Sequence, residues 1–176
     1  MNHLIPPRPT LRSGAVACAG IFAAIGTLAY FSFDLKVLLA LGSFGSSTVL
    51  LFCFPESHFS QPRSIVGGHF VSTAVGLAAL SLCGQTWWAL GAAVAFAAAA
   101  MMLTRTMHPP AGSNPIIVFL GLADWHFLFF PTLAGAVVLV LVGLAYHRWC
   151  RRPYPQYWGF EHEAPASVPG EDSAAA

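Results

Sequence analysis

The sequence predicts an all-α membrane protein, a bundle of about six transmembrane segments of which two are broken or short. Of the 176 residues, 56% are hydrophobic and 9% are charged, whereas a soluble domain carries about 25% charged residues. The apolar residues stand in long runs, the mean hydropathy is +0.66, and such runs can cross a hydrocarbon core of about 30 Å. The net charge of +1 gives no support for a nucleic-acid partner.

Hydropathy and helix-breaking residues divide the chain into six apolar segments. In chain order they cover residues 13–33, 37–54, 64–83, 86–104, 111–123 and 127–147. A membrane-spanning helix needs about 20 residues, so four segments are long enough, the second is marginal, and the fifth is too short for one uninterrupted helix. The first segment exceeds the roughly 7–15 apolar residues of a signal peptide, so we expect it to remain as a transmembrane helix.

The segments are expected to form one transmembrane domain with two cytoplasmic tails. The domain covers residues 13–150, the N-terminal tail 1–12, and the C-terminal tail 151–176, which is predicted to be disordered from about 159. Cytoplasmic loops are enriched in Lys and Arg, and if all six segments cross, Lys36 is the one outside residue among the 8 basic residues. If segments two and five only dip into the membrane, Arg63 and Arg105 move outside, so six crossings are favoured.

The two halves of the chain resemble each other. A shift of 67 residues aligns ten identical residues in 39 ungapped positions. The matches include Gly45, Ser46, Gly68, Gly76 and Cys83 with Gly112, Ser113, Gly135, Gly143 and Cys150. Each half, about 13–83 and 86–150, then holds three segments, which predicts an inverted three-plus-three repeat with a substrate site between the halves. The alternative is that shared membrane composition produces these matches.

Each half contains an apolar segment interrupted by glycine, proline and hydroxyl residues, and such pairs indicate a binding site in transport proteins. In segment two, Gly45 lies about halfway along, and the hydroxyl residues after it can cap a helix that restarts there. In segment five, Asn114 followed by Pro115 predicts an N-cap and a first helical turn. Two half-helices would then begin near the midplane, each with free N–H groups and a partial positive charge. This arrangement suits a small anion.

The candidate binding residues come from both interruptions and from segment three. They are His108, Pro109, Pro110, Gly112, Ser113 and Asn114 on one wall, Gly45, Ser46, Ser47 and Thr48 on the other, and His69 nearby. His108 can offer a proton or a hydrogen bond, because histidine titrates near neutral pH; alternatively it is a loop residue beside a rigid turn. An ionisable residue within a span is a functional candidate, although packing would also explain His69.

Three charged residues outside the apolar segments have two interpretations each. Arg63 and Arg105 are topology determinants and interface anchors, or they attract and gate an anion. Glu56 belongs to a solvated hinge or to a gate. The sequence shows no nucleophile–base pair, no His-x-x-x-His pair and no phosphate-cradling loop, so we expect no enzyme activity, no cofactor and no metal site. The 4 isolated cysteines are interpreted as small packing residues.

The stretch Leu103–Gly112 resembles the signature of the HPP family of integral membrane proteins, which is named for His108-Pro109-Pro110. Similar family blocks are Gly42–Ser47, Gly67–His69 and Tyr154–Trp158, and the resemblance covers residues 12–158. The family is usually described with four transmembrane segments; six are counted in this chain because both broken segments are taken to cross.

The resemblance also implies a function. Some family members are linked to nitrite transport in cyanobacteria and plastids, so it implies a transporter or channel for a small anion, with nitrite the leading candidate. The expected partners are the lipid bilayer and that anion, and the expected location is a bacterial inner membrane. A bundle rich in small residues can also form a homo-oligomer. The alternative is a non-transporting membrane scaffold or sensor that recruits partners.

Overall fold

The structure, a computed structural model, describes residues 8–36 and 39–158, and every regular element within those ranges is helical. The helices are α1 (Leu11–Phe33), α2 (Gly42–Cys53), α3 (Pro62–Cys83), α4 (Trp87–Leu103), α5 (Asn114–Gly121) and α6 (Ala134–Trp149). The predicted all-α bundle is confirmed. The predicted disorder from about residue 159 and the first part of the N-terminal tail lie outside the described residues.

The helices differ in whether they can cross a membrane. Three stretches are long and apolar enough: Leu11–Phe33, Pro62–Cys83 and Leu128–Trp149. The third joins α6 to the distorted helical turn Leu128–Leu133 before it. Helix α4 has 17 residues, which is at the lower end of the usual range for a span. Helices α2 and α5, with 12 and 8 residues, are the shortest, as expected of segments two and five.

The predicted restart of a helix after Gly45 is wrong. Helix α2 runs without interruption from Gly42 to Cys53, after extended backbone at Leu41. The Thr48 hydroxyl does not cap a new helix but donates to the carbonyl oxygen of Gly45 at 2.6 Å. Serine and threonine hydroxyls can bond to a carbonyl one turn earlier, which lets them stay inside a helix. The polar residues of segment two therefore lie on an intact helix.

Segment five also begins differently from the prediction. A 3-10 turn, Pro109–Ser113, leads into α5, whose N-cap is Ser113 and whose first residue is Asn114. Asn114 has helical backbone angles and does not cap the helix. Pro115 follows within the first turn, where the N–H group that proline lacks would have no helical partner. The Asn114 side chain is therefore available for contacts with another helix.

The third helix of each half packs against the other half. Helix α1 packs on α2 and α6, and α4 packs in the same way on α5 and α3. One buried apolar cluster lies mainly among α1, α2 and α6, and a second lies mainly among α3, α4 and α5. Each helix contact in the first cluster thus has a counterpart in the second, in agreement with the predicted repeat. Neither half can bury its apolar surface without the other.

Glycines at matching positions of α3 and α6 allow this close packing. A Cβ atom added to Gly76 would lie 2.9 Å from the Cα of Pro115 at the start of α5. A Cβ atom added to Gly143, 67 residues later, would lie 2.7 Å from a methyl carbon of Leu51 on α2. Small residues serve this purpose in membrane helices, where backbones approach one another closely.

The segment after α6 folds back onto the chain between α2 and α3. The Tyr154 hydroxyl donates to the carbonyl oxygen of Ser60 at 2.8 Å, and the backbone N–H of Gln156 donates to the side chain of Gln61 at 2.8 Å. Burial raises the pKa of the Tyr154 phenol above its usual value. The phenol therefore stays protonated, and remains a donor, at physiological pH.

Removal of this hydroxyl should weaken the fold. We expect Tyr154→Phe to lower the free energy of unfolding by about 1 kcal/mol, measured by unfolding of the detergent-solubilised protein. The matched control is Tyr157→Phe, whose hydroxyl lies at the longer distance of 3.5 Å from the His58 carbonyl oxygen. Since the folded pKa of Tyr154 is raised, the difference should be present below about pH 10 and disappear as the pH rises further. Equal effects of the two substitutions would contradict this assignment.

Candidate intramembrane polar site

Four polar side chains from separate parts of the chain meet inside the apolar bundle. They are Ser47 on α2, His69 on α3, His108 just before the 3-10 turn, and Asn114 at the start of α5. Each has an exposed fraction of 0%. All four belong to the predicted binding residues, and the fold brings them into direct contact, which we call the polar cluster.

A continuous chain of hydrogen bonds links the polar cluster. Ser47 Oγ lies 2.9 Å from Nε2 of His69 and 2.8 Å from Nε2 of His108. On the far side of the His108 ring, Nδ1 lies 2.6 Å from the carbonyl oxygen of Phe59. On the far side of the His69 ring, Nδ1 lies 3.0 Å from Nδ2 of Asn114. One hydroxyl thus joins two imidazoles, and each imidazole is held at both nitrogens.

The Phe59 carbonyl and the Asn114 amide, at the two ends of this series of hydrogen bonds, fix the direction of every bond between them. The Phe59 carbonyl can only accept, so neutral His108 carries its proton on Nδ1 and accepts at Nε2. The Asn114 amide nitrogen donates to Nδ1 of His69, so His69 carries its proton on Nε2. Ser47 accepts from His69 and donates to His108. With the Asn114 amide reversed, both Nε2 atoms would compete for the single Ser47 proton, so the hydrogen-bond network selects the orientation described.

Asn114 is fixed to α3 by a second contact. Its Nδ2 atom donates to the Thr73 hydroxyl at 2.8 Å, while its Oδ1 atom is buried without a hydrogen-bond partner in the described part of the chain. The prediction that Asn114 would cap α5 is therefore wrong, because its amide orients His69. The sequence prediction missed Thr73, and it also missed Ser72, which donates to the carbonyl oxygen of Ala111 at 2.7 Å.

The spacing of Ser72 and Thr73 from His69 in the sequence indicates that they belong to the site. Ser72 and Thr73 follow His69 by three and four positions, which places all three on one face of a helix. A polar face on an otherwise apolar span indicates a buried partner. The sequence did not show which segment supplies that partner.

The two residues that hold His69 occupy matching positions of the repeat. Ser47 and Asn114 are 67 residues apart, the shift that aligns the two halves. Ser47 contacts Nε2 of the ring, and Asn114 contacts Nδ1. The His69 ring thus lies between segments two and five, one from each half.

A close approach of α3 to the His-Pro-Pro stretch makes these contacts possible. A Cβ atom added to Gly68 would lie 2.7 Å from Cβ of His108 and 2.8 Å from the carbonyl oxygen of Thr106. On another side, the Phe44 ring meets the His69 ring edge-on, with centroids 4.9 Å apart. Only glycine at position 68 leaves room for the backbone that carries His108.

Other predicted residues line an open groove beside the polar cluster. Its volume is about 530 Å³, and it is lined by Ser46, Val49, Leu50, Pro109, Pro110 and Ser113. Ser46 and Pro109 directly adjoin Ser47 and His108 in the chain, and Ser113 adjoins Asn114. The predicted single site is therefore divided into a buried hydrogen-bonded part and an open groove.

The remaining predicted residues lie outside both parts. Gly45 is exposed and Gly112 is half-buried, while buried Thr48 bonds within α2. Arg63 donates to the carbonyl oxygen of Thr104 at 2.6 Å, just after α4.

The structure also locates the two other charged candidates. Arg105 is exposed, and its backbone has a positive φ of 53°. Glu56 lines a separate cavity that also contains Arg152. Gating by Arg63, Arg105 or Glu56 stays a prediction.

Two arrangements in the structure were invisible in the sequence. Ser47 and His108 lie at the distance of a nucleophile–base pair, but both are fully buried and Nδ1 of His108 bonds a backbone carbonyl. A third buried histidine, His147 on α6, lies 2.9 Å through Nε2 from the carbonyl oxygen of Leu51. The expected absence of enzyme activity stays a prediction.

Comparison with known proteins places the chain among membrane proteins. It matches the family model described as "HPP, transmembrane region" over residues 6–155. It is similar to a transmembrane protein of Dictyostelium discoideum, 31% identical over 166 residues that cover 87% of this chain and 58% of that protein. A second Dictyostelium discoideum transmembrane protein is 33% identical over 132 residues, 70% of this chain and 42% of the relative. No solved structure matches.

Both relatives are longer than this chain, and neither name states a function. The chain spans about half the length of the curated relatives it matches. Their names state only that they are transmembrane proteins, and both come from Dictyostelium discoideum. The bacterial inner membrane and the cytoplasmic position of both termini therefore stay predictions.

Proposed function

This chain belongs to the HPP transmembrane family, and on that premise we propose that it is a transporter or channel for a small anion, with nitrite the leading candidate. The observation that carries the proposal is the polar cluster, four fully buried polar side chains inside an apolar bundle. Polar and ionisable groups are costly within a membrane and commonly mark ion or substrate pathways. This cluster also joins the two halves of the predicted repeat, where transporters bind their substrates.

The groove beside the polar cluster is the proposed binding place of the anion. Two residues of its lining carry hydroxyls: Ser46 on α2 and Ser113 in the turn before α5. At present they donate to the carbonyl oxygens of Ser43 and Pro110, at 3.0 and 2.8 Å. A hydroxyl rotates freely, so each can turn from its carbonyl to an anion. Nitrite, with two acceptor oxygens, would accept one bond from each wall.

The polar cluster is proposed to set the position of the groove walls. The bond from Ser47 to His108 ties α2 to the backbone that continues into Pro109 and Pro110. This hydroxyl–imidazole contact therefore helps to set the position of one wall of the groove relative to the other. A change of that contact would move one wall relative to the other, as a transporter needs when it exposes its site to alternate sides.

Uptake of nitrite into proteoliposomes tests the proposal. We expect saturable uptake by the purified protein at mildly alkaline pH, where little membrane-permeant nitrous acid is present, with leakage into empty liposomes subtracted. His108→Ala should reduce the rate at least tenfold, because the wall at Pro109 loses its contact with α2. The matched control, His126→Ala, alters an exposed histidine and should leave the rate unchanged.

The outcome also separates the two candidate functions. Wild-type rates in His108→Ala would contradict the proposed site. Failure of the wild-type protein to move nitrite, nitrate, formate or chloride faster than empty liposomes would contradict transport. That second result would favour the scaffold or sensor, in which the polar cluster serves packing alone.

A further inference from the structure

We propose that the polar cluster takes up one proton with each transported anion, so that the protein catalyses electroneutral anion–proton symport. This inference rests on the proposed function and names its coupling ion. It is carried by one structural feature: the hydrogen bonds of the polar cluster can be satisfied both with and without an additional proton.

In the neutral state, every proton of the chain has an acceptor. His69 donates from Nε2 to Ser47, Ser47 donates to Nε2 of His108, and His108 donates from Nδ1 to Phe59. Among the hydrogen bonds of the polar cluster, the lone pair on Nε2 of His108 is the one site that can take up a proton and keep its partner. Its partner is the Ser47 hydroxyl, which can accept a hydrogen bond as well as donate one.

In the protonated state, one O–H group changes its direction. A proton from water binds the Nε2 lone pair of His108, and the new N–H group donates to Ser47 Oγ across the same 2.8 Å. The Ser47 hydroxyl then turns to the carbonyl oxygen of Ser43, which lies 3.0 Å away and which the Ser46 hydroxyl leaves when it turns to the anion. No other hydrogen bond of the polar cluster breaks. Release of the proton to water on the opposite side of the membrane restores the neutral state.

Within the part of the chain that the structure describes, the elements that carry the polar cluster provide no fixed counter-ion for this added charge. Helices α2, α3 and α5 and the turn Pro109–Ser113 contain no Asp or Glu. The titratable groups that face each other are the imidazoles of His69 and His108, with ring centroids 5.1 Å apart. The other titratable or charged groups lie near the ends of the adjoining elements: Cys53, Glu56, His58, Arg63, Cys83 and Arg105, and on α6, which packs on α2 and α3, Tyr146, His147 and Arg148.

The missing counter-ion makes coupling the expected behaviour. A buried charge is costly unless an opposite charge lies nearby. An anion in the groove would adjoin the chain neighbours of Ser47 and His108, and would therefore compensate the proton. A second proton would place two positive rings beside each other, which like-charge repulsion disfavours. Together these effects give one proton for each anion.

Two driving forces applied separately to the reconstituted wild-type protein test the inference. Nitrite uptake is measured as an initial rate, first with an inward proton gradient and then with a membrane potential set by potassium and valinomycin. Symport predicts acceleration by the proton gradient and less than a twofold change with the potential. Uptake of nitrite alone would respond to 100 mV, which is worth about 2.3 kcal/mol per charge or roughly 50-fold in the equilibrium gradient.

A variant tests whether His108 holds the proton. His108→Gln keeps a hydrogen-bonding side chain that does not titrate, and it should lose the acceleration by the proton gradient. His126→Gln, at an exposed position, should keep it. An unchanged gradient response in His108→Gln would overturn the assignment of the proton to the polar cluster.

The possible results for the wild type distinguish the two proposals. Protein-dependent uptake that follows the proton gradient and ignores the potential supports symport. Protein-dependent uptake that follows the potential and ignores the proton gradient overturns symport and leaves anion transport standing. Absence of protein-dependent uptake overturns both. The potential experiment uses the unaltered protein, so its result does not depend on the folding of any variant.

Discussion

Substitution of Ser47 by Ala is expected to reduce anion uptake at least tenfold. The Ser47 hydroxyl is the shared partner of both Nε2 atoms, so its removal leaves a buried donor on His69 and a buried acceptor on His108 unpaired. Each unpaired group costs about 1–3 kcal/mol. The wall of the groove at Pro109 and Pro110 then loses its hydrogen-bonded link to α2.

Two further substitutions separate loss of the hydroxyl from general damage. Ser47→Thr retains the hydroxyl and should recover much of the activity lost in Ser47→Ala. Ser81→Ala removes an exposed hydroxyl near the end of α3 and should leave the rate unchanged. Uptake by Ser47→Ala at the wild-type rate, measured in proteoliposomes with equal protein content, would show that the polar cluster is not needed for transport.

Substitution of Gly68 by Ala is expected to disturb both the fold and the function. The added methyl group would lie 2.8 Å from the carbonyl oxygen of Thr106 and 2.7 Å from Cβ of His108. Both atoms belong to backbone or lie directly on it, so neither can rotate away. Overpacking of this kind costs about 1–3 kcal/mol. The His108 ring should also move away from Ser47, with loss of uptake.

The matched control for Gly68→Ala is Gly91→Ala on α4. Gly91 also lies within a helix, but nothing stands within 4 Å of a Cβ atom at this position. Alanine favours helix more than glycine by about 1 kcal/mol, so this substitution should stabilise the protein or leave it unchanged. Thermal unfolding in detergent and nitrite uptake are measured for both variants. Similar stability and uptake in the two would contradict the close approach of α3 to the His-Pro-Pro stretch.

The elements of the fold follow from simple rules of length and hydropathy. Helices α1, α3 and α4 lie within two residues of the predicted segments at each end, because long apolar runs bounded by polar residues have one stable conformation in a membrane. The sequence prediction misplaces the start of α2, because it treats Gly45 as a break. In the bundle, the hydroxyls of Ser46 and Thr48 bond to carbonyl oxygens of their own helix and do not interrupt it.

The candidate site was predicted as a set of residues and not as a set of contacts. Ser47, His108 and Asn114 are predicted because they lie in or beside the two interruptions. His69 is predicted because it is an ionisable residue within a span. Their pairing depends on how α3 crosses α2 and α5, and local sequence patterns do not contain this information. The separation of Ser47 and His108 by 61 positions illustrates this. Likewise, the role of Asn114 changed from cap to anchor because Thr73 lies opposite it.

Occupation of the groove by the anion can be tested directly, by protection of a cysteine in the groove from alkylation. Ser113→Cys is prepared in a variant in which the 4 native cysteines are replaced by Ala and nitrite uptake is retained. The rate of alkylation at this position is measured with increasing nitrite, and Ser81→Cys serves as the control. If the anion occupies the groove, nitrite slows alkylation at position 113 severalfold, at the concentrations that saturate uptake, and has no effect at position 81. Unchanged alkylation at position 113 while nitrite is being transported would contradict it.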